Sequence, residues 1–258
     1  MSVAVRTFLK ILVVAISLGG AGSLRAGLET NALDSQSHRV RIVLAGDSTV
    51  TDKAGWGLGF ARCLGTNAEC INLSKGGRSS KSYIGEGSWR QCLELKPDYV
   101  IIQFGHNDQP GHGDRETEPE TTYKKFMTQF VEDARAAGLK PVLVTPLSRR
   151  QWGEDGRIHS TLQPWVEVVK EIATEKKVPL IDLHQRSIEM YERMGQDRIL
   201  EISPRRNADS KSTNSDTASA QNKGFDGTHL NPKGSDMVGP IVAEELRKAV
   251  PALVGYFR

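Results

Sequence analysis

The sequence predicts an α/β fold, a five-stranded parallel sheet inside a three-layer α/β/α sandwich, and three observations point to it. Short apolar runs of strand length alternate with longer stretches of helical pattern. Helix stops and strand starts fall where they should, at Lys96-Pro97-Asp98, Gly138 and Pro179. Polar clusters follow directly on the apolar runs, at the carboxyl edge where open α/β sheets place their chemistry. Alternation of strand and helix implies parallel strands with helices on both faces, here as a flavodoxin-like sandwich.

The chain opens on a targeting segment. Arg6 and Lys10 precede the apolar run Ile11 to Leu18, which ends in small residues and is too short for a comfortable transmembrane helix. Residues 1–26 therefore read as a secretory signal peptide, with Ala21, Gly22 and Ala26 all compatible with cleavage. A polar leader follows, and a single domain is expected over residues 38–258. The expected location is secreted or periplasmic, with no stable membrane association once the leader is removed.

Five strands are expected at Val40 to Ala45, Cys70 to Leu73, Tyr99 to Phe104, Pro141 to Thr145 and Val178 to Leu183. Helices are expected at Gly57 to Leu64, Ser82 to Leu95, Pro119 to Ala137, Thr161 to Lys177 and Gly234 to Ala249. Pro204 to Lys223 is rich in Ser, Thr, Asn and Asp and reads as a flexible loop. The net charge of +3 is small and scattered, which leaves no nucleic-acid footprint. Three cysteines lack metal-type spacing. Cys63 and Cys70 are close enough in sequence for a local bridge in an oxidising compartment, and Cys92 reads as a buried small hydrophobe.

Four stretches carry the chemistry. The first strand ends in Gly46-Asp47-Ser48-Thr49, presenting the Ser48 hydroxyl at the sheet edge; read alone, Ser48 is equally the N-cap of a helix. After the second strand, the turn Ser74-Lys75-Gly76-Gly77-Arg78-Ser79 turns backbone amides toward that edge, where they suit an anion or a developing oxyanion, although a tight strand-to-helix turn would look the same. After the third comes Gly105-His106-Asn107-Asp108, with Asn107 able to aim amide donors into the same crevice. Finally, Asp226 and His229 lie three apart at the mouth of the last helix, a spacing that lets a carboxylate orient an imidazole. A serine hydroxyl is a weak nucleophile until a positioned base takes its proton, so Ser plus His is what acyl transfer needs.

Taken together and in this order, the four blocks resemble the SGNH (GDSL-like) hydrolase superfamily. The resemblance implies Ser48 as nucleophile, His229 as base and Asp226 as its orienter. It also implies an oxyanion hole made from the Ser48 amide, Gly77 and Asn107. Gly-Asp-Ser-Thr, Trp56-Gly57, Gly77-Arg78-Ser79 with Ser82-Tyr83, Thr145 to Arg150 and Asp226 to Asn231 resemble the rhamnogalacturonan acetylesterase group. That likeness implies removal of acetyl groups from a pectic polysaccharide without metal or organic cofactor. The segment Pro204 to Lys223 is longer than expected before the last block, which bears on substrate choice more than on reaction type.

Trp56, Arg78, Arg149 and Arg150 are candidates for holding sugar rings or carboxylates, since Trp stacks on a sugar face and Arg forks onto a uronate. Trp56 as a core residue and Arg149-Arg150 as a solvated pair fit the sequence equally well. Two rival functions find partial support in the sequence. A metallophosphoesterase would use Gly46-Asp47, Gly105 to Asp108 and Asp182-Leu183-His184, but the blocks stand in the wrong order. A catalytically silent carbohydrate-binding protein would have lost a block, and all four are intact.

Overall fold

The computed structural model describes residues 39–206 and 224–258. Five parallel strands run β1 (Val40–Gly46), β2 (Ala68–Asn72), β3 (Tyr99–Gln103), β4 (Lys140–Val144) and β5 (Leu180–Ile181), in the order β2-β1-β3-β4-β5. The order reverses between β1 and β3, so the two strands that carry Ser48 and Asn107 flank the crevice where doubly wound sheets bind ligands. The predicted five-stranded three-layer sandwich is the one observed.

Alternation along β1 divides the core. Ile42 and Leu44 face a layer built from α1 (Gly57–Ala61), α6 (Leu183–Arg198) and α7 (Pro232–Ala249), through Phe60, Tyr191, Val238, Val242 and Leu246. Val43 and Ala45 face the opposite layer, made of α2 (Ser80–Gly85), α3 (Ser88–Glu94), α4 (Lys124–Ala136) and α5 (Gln163–Glu175). Side chains two apart on a strand share a face, so a uniformly apolar strand must be covered on both sides. In the second layer Phe104 stacks on Phe130 at 5.1 Å and Trp89 meets Phe130 edge-on at 4.8 Å.

Three expectations are corrected. The helix expected over Ser82 to Leu95 is two helices, because Gly87 takes φ +81° and turns the chain between α2 and α3. The sixth helix, α6, was not anticipated, and Asp182, expected at the end of a strand, is its N-cap, accepting from the Gln185 N–H. Cys63 and Cys70 are free thiols, and no bridge joins them. Cys92 is buried as expected, beside the Tyr83 hydroxyl at 3.3 Å. The proposed leader and residues 207–223 of the expected loop lie outside the described residues; within those residues no helix is long and apolar enough to cross a membrane.

Candidate active site

The turn that follows β1 is clamped from beneath. Asp47 is fully buried, and its Oδ1 accepts from the Thr49 N–H at 2.8 Å and the Thr49 hydroxyl at 2.7 Å. Gln103, at the end of β3, donates to Thr49 Oγ1 at 2.7 Å and accepts from the Trp56 indole at 2.9 Å. Asp47 Oδ2 faces His106 Nδ1 at 3.3 Å, and burial holds the His106 imidazole below its ordinary pKa. Every polar neighbour of Ser48 in the turn is thereby occupied inside the protein, while Ser48 itself is half-exposed.

Asp226 and His229 arrive as one turn. Asp226 Oδ1 accepts from the backbone N–H of Thr228 at 2.7 Å and of His229 at 3.0 Å, and Oδ2 lies 2.8 Å from His229 Nδ1. Burial works to raise the Asp226 pKa, but the hydrogen bonds and charge of His229 outweigh it and hold the carboxyl well below the usual range. With Nδ1–H given to Asp226, the Nε2 lone pair points away, and it meets Ser48 Oγ at 2.8 Å. The Leu230 N–H donates to Ala54 O at 2.9 Å, tying this turn to the loop after Ser48, and Asn231 caps α7 through the Gly234 N–H at 2.9 Å.

The glycine turn passes close to Ser48, and Asn107 is tied to that turn. Gly77 takes φ +75°, a backbone conformation suited to glycine, and a Cβ on neighbouring Gly76 would come within 3.7 Å of Ser48 Cβ. Asn107 Nδ2 donates one proton to Arg78 O at 3.1 Å, which leaves its second N–H for a ligand. Asp108, fully buried, accepts from the Ser80 N–H, from the Ser80 hydroxyl at 2.5 Å and from the Thr117 hydroxyl at 2.9 Å. It thus joins the Asn107 loop to the start of α2 just past the glycine turn. Burial drives its pKa up to about 7. The structure therefore brings Ser48, Gly77, Asn107, Asp226 and His229 to one edge of the sheet, at the switch point.

The sugar-holding candidates are mostly elsewhere. Trp56 is fully buried in the core with its indole on Gln103. Arg150 is 1% exposed; its Nη2 donates to the backbone carbonyls of Asp226, at 2.8 Å, and His229, and its Nε to Ser203 Oγ at 3.0 Å. Arg149, also buried, donates to Thr228 Oγ1 and Gln109 Oε1, both at 2.8 Å. Both arginines hold the Asp226–His229 turn from inside, which corrects both readings made of them, as sugar clamps and as a solvated pair. Arg78 does lie on the surface, paired with Glu86 at 3.0 Å. The sequence reading missed Asp47, Gln103 and Asp108, for which Asp47 and Thr49 two apart offered an Asx-turn signal. It also missed Arg115, whose bond to Gly77 O crosses 38 residues and has no local signature.

The arrangement can pass a hydroxyl proton to an oriented imidazole and present N–H donors to a charge forming beside it. The rival metal reading fares differently, because Asp182 caps a helix and His184 Nδ1 faces Pro146 O at 2.9 Å. Among the described residues no group of three or more His, Cys, Asp or Glu side chains is placed to hold a metal ion.

The GDSL-like Lipase/Acylhydrolase family model matches residues 44–237. Rhamnogalacturonan acetylesterase RhgT of Bacillus subtilis is 34% identical over 218 residues, covering 81% of this chain and 90% of that protein. The crystal structure of Bacillus subtilis YxiM superposes with a TM-score of 0.68 at 22% identity, over 84% of this chain and 58% of that one. An acetylxylan esterase from Geobacillus stearothermophilus, solved as a catalytic mutant, superposes at 0.57 and 16% identity, over 81% of this chain and 93% of that one.

Proposed function

Because the chain belongs to the GDSL-like lipase/acylhydrolase family and is a carboxylic ester hydrolase of its rhamnogalacturonan acetylesterase group, we propose that it removes O-acetyl groups from a pectic polysaccharide outside the cytoplasm. One observation carries the mechanism: His229 Nε2 stands 2.8 Å from Ser48 Oγ while its Nδ1 is held 2.8 Å from Asp226.

Ser48 Oγ attacks the acetyl carbonyl carbon as its proton passes to His229 Nε2. The imidazolium so formed is stabilised by Asp226, which stays ionised. The carbonyl oxygen becomes an oxyanion, received by the Ser48 and Gly77 amides and the free N–H of Asn107. Collapse breaks the bond to the sugar oxygen, which takes the proton from His229 and leaves as a hydroxyl. Water then attacks the acetyl-serine, giving its proton to His229; acetate departs and the Ser48 hydroxyl is restored.

The substrate assignment rests on the kinship with RhgT, which covers nearly the whole of that relative. The signal-peptide pattern at the N-terminus supports export, which would place the enzyme where its polymer lies. Arg78 remains a surface candidate for sugar binding, although its charge is shared with Glu86. The test is acetate release from acetylated rhamnogalacturonan, homogalacturonan, xylan and peptidoglycan, with and without Pro204 to Lys223. The expected order puts a pectic polymer first, and Ser48→Ala abolishes release from all of them. Faster deacetylation of xylan or peptidoglycan would overturn the substrate and leave the esterase standing. Substantial activity in Ser48→Ala would overturn the nucleophile.

A further inference from the structure

Resting on the oxyanion role given above to Asn107, we propose that Arg115 is the positioning residue of the oxyanion hole, fixing which face of the Asn107 carboxamide meets the reacting carbonyl. One nitrogen, Arg115 Nη1, donates to Gly77 O at 2.8 Å and to Asn107 Oδ1 at 3.4 Å. It therefore touches both blocks that supply the hole from outside the nucleophile turn. At its other end the same carboxamide gives one N–H to Arg78 O at 3.1 Å. An inverted carboxamide would set its NH₂ against a guanidinium and its oxygen against a carbonyl, two repulsive contacts in place of two attractive ones. Asn107 is 6% exposed, so water cannot relieve that mismatch freely. The second N–H is consequently aimed where the oxyanion forms before any substrate arrives.

Arg115 is itself held in place. It sits on a short turn, Gly113–Arg115, whose base is closed by the Thr117 N–H on Asp108 O at 2.9 Å. Its Nε donates to His112 O at 3.2 Å, and Nη2 lies 3.4 Å from His112 Nδ1. The neighbouring Glu116 carboxylate is turned away onto the N–H groups of Gly111, His112 and Gly113 at 2.7–2.8 Å. Among the described residues no carboxylate forms an ion pair with Arg115, whereas Glu86 pairs with both Arg78 and Lys75. Arg115 acts on the oxyanion through Asn107: the N–H it orients bonds more strongly as negative charge develops on the carbonyl oxygen, in the transition state rather than on substrate binding.

The experiment measures kcat and KM separately on 4-nitrophenyl acetate, a neutral ester that has no acidic sugar for an arginine to recognise. The variants are Arg115→Met, Arg115→Lys, Asn107→Ala and the Arg115→Met/Asn107→Ala double, all made in the full chain. Arg115→Met is expected to lower kcat at least about 10-fold with KM within about 2-fold, and Lys, which keeps the charge but not the fork, to fall between. In the Asn107→Ala background the same Met substitution should cost less than about 3-fold, since the group it positions is gone. Equal losses in both backgrounds, or an effect on KM alone, would overturn the proposal while leaving Asn107 in its role. An Asn107→Ala enzyme of undiminished kcat would instead remove the oxyanion reading, and Arg115 with it. Should the Met variant fail to fold, the Lys variant and its double with Asn107→Ala give the same comparison.

Discussion

Two carboxylates of the candidate site, Asp226 half-buried and Asp108 fully buried, respond to pH in opposite senses. Asp226 is held below the ordinary carboxylate range by His229, so its contribution to stability is present above about pH 4 and lost as the pH falls. Asp108 has three hydrogen-bond donors and, among the described residues, no ion pair, and burial raises it to about 7. Between about pH 4 and about pH 7 the folded protein then binds a proton that the unfolded chain does not, so through this group stability declines as the pH rises across that window. Asp108→Asn, which mimics the neutral acid, should lack this component. Thermal midpoints of the two proteins from pH 4 to 8 check it, and a gap between the two curves that does not vary with pH would rule it out. At this scale the site was legible where chemistry dictates residue type: Ser48, Asn107, Asp226 and His229 all lie where their blocks suggested. Arg149 and Arg150 misled because sequence shows an arginine's charge but not its direction. Here both side chains point inward, onto the carbonyls and hydroxyl of the Asp226–His229 turn.

Among the elements, those with a plain apolar period were legible and those that depend on caps and glycines were not. All five strands stand within a few residues of the expected spans. Helix α6 escaped because its buried positions include His184 and Ser187, which break the apolar stripe; the signal that would have found it is Asp182-Leu183-His184-Gln185, a capping pattern. The pair that matters most for the site is α1 with α7, since α1 follows the Ser48 loop and α7 follows the His229 turn. They pass at backbone contact: a Cβ on Gly239 would fall 2.2 Å from the Gly59 carbonyl carbon, and one on Gly59 would fall 1.9 Å from Ser235 O. The Gly59 N–H also donates to Ser235 Oγ at 3.0 Å. Gly239→Ala must therefore push the helices apart, at a cost of about 1–3 kcal/mol and several degrees of Tm. Loss of turnover should accompany it, as Ser48 and His229 separate. Gly85→Ala, which meets nothing within 4 Å, is the control. Equal Tm and kcat for the two variants would show that this crossing does not set the distance between Ser48 and His229.

Seen whole, the molecule assembles its site from two distant parts of the chain. Ser48, Gly77 and Asn107 come from the first three strand ends, whereas Asp226 and His229 come from a single turn near the C-terminus, and the bond between Ser48 and His229 spans 181 residues. The sheet edge was legible as the place of chemistry because parallel strands deliver all their ends to one side. The distance in sequence has a kinetic consequence. Contacts among β1, β2 and β3 close comparatively short stretches of chain, but joining His229 to Ser48 requires most of the polypeptide to be in place, and such long-range closure comes late. During refolding from denaturant, ellipticity and tryptophan fluorescence should recover before ester hydrolysis does. A chromogenic ester present from the moment of dilution should then show a lag, and its absence would mean that the C-terminal turn docks as early as the sheet forms. Under the proposed mechanism, hydrolytic activity is a clock for the final docking step, because a partly folded chain with a complete sheet would present Ser48 without His229 to activate it.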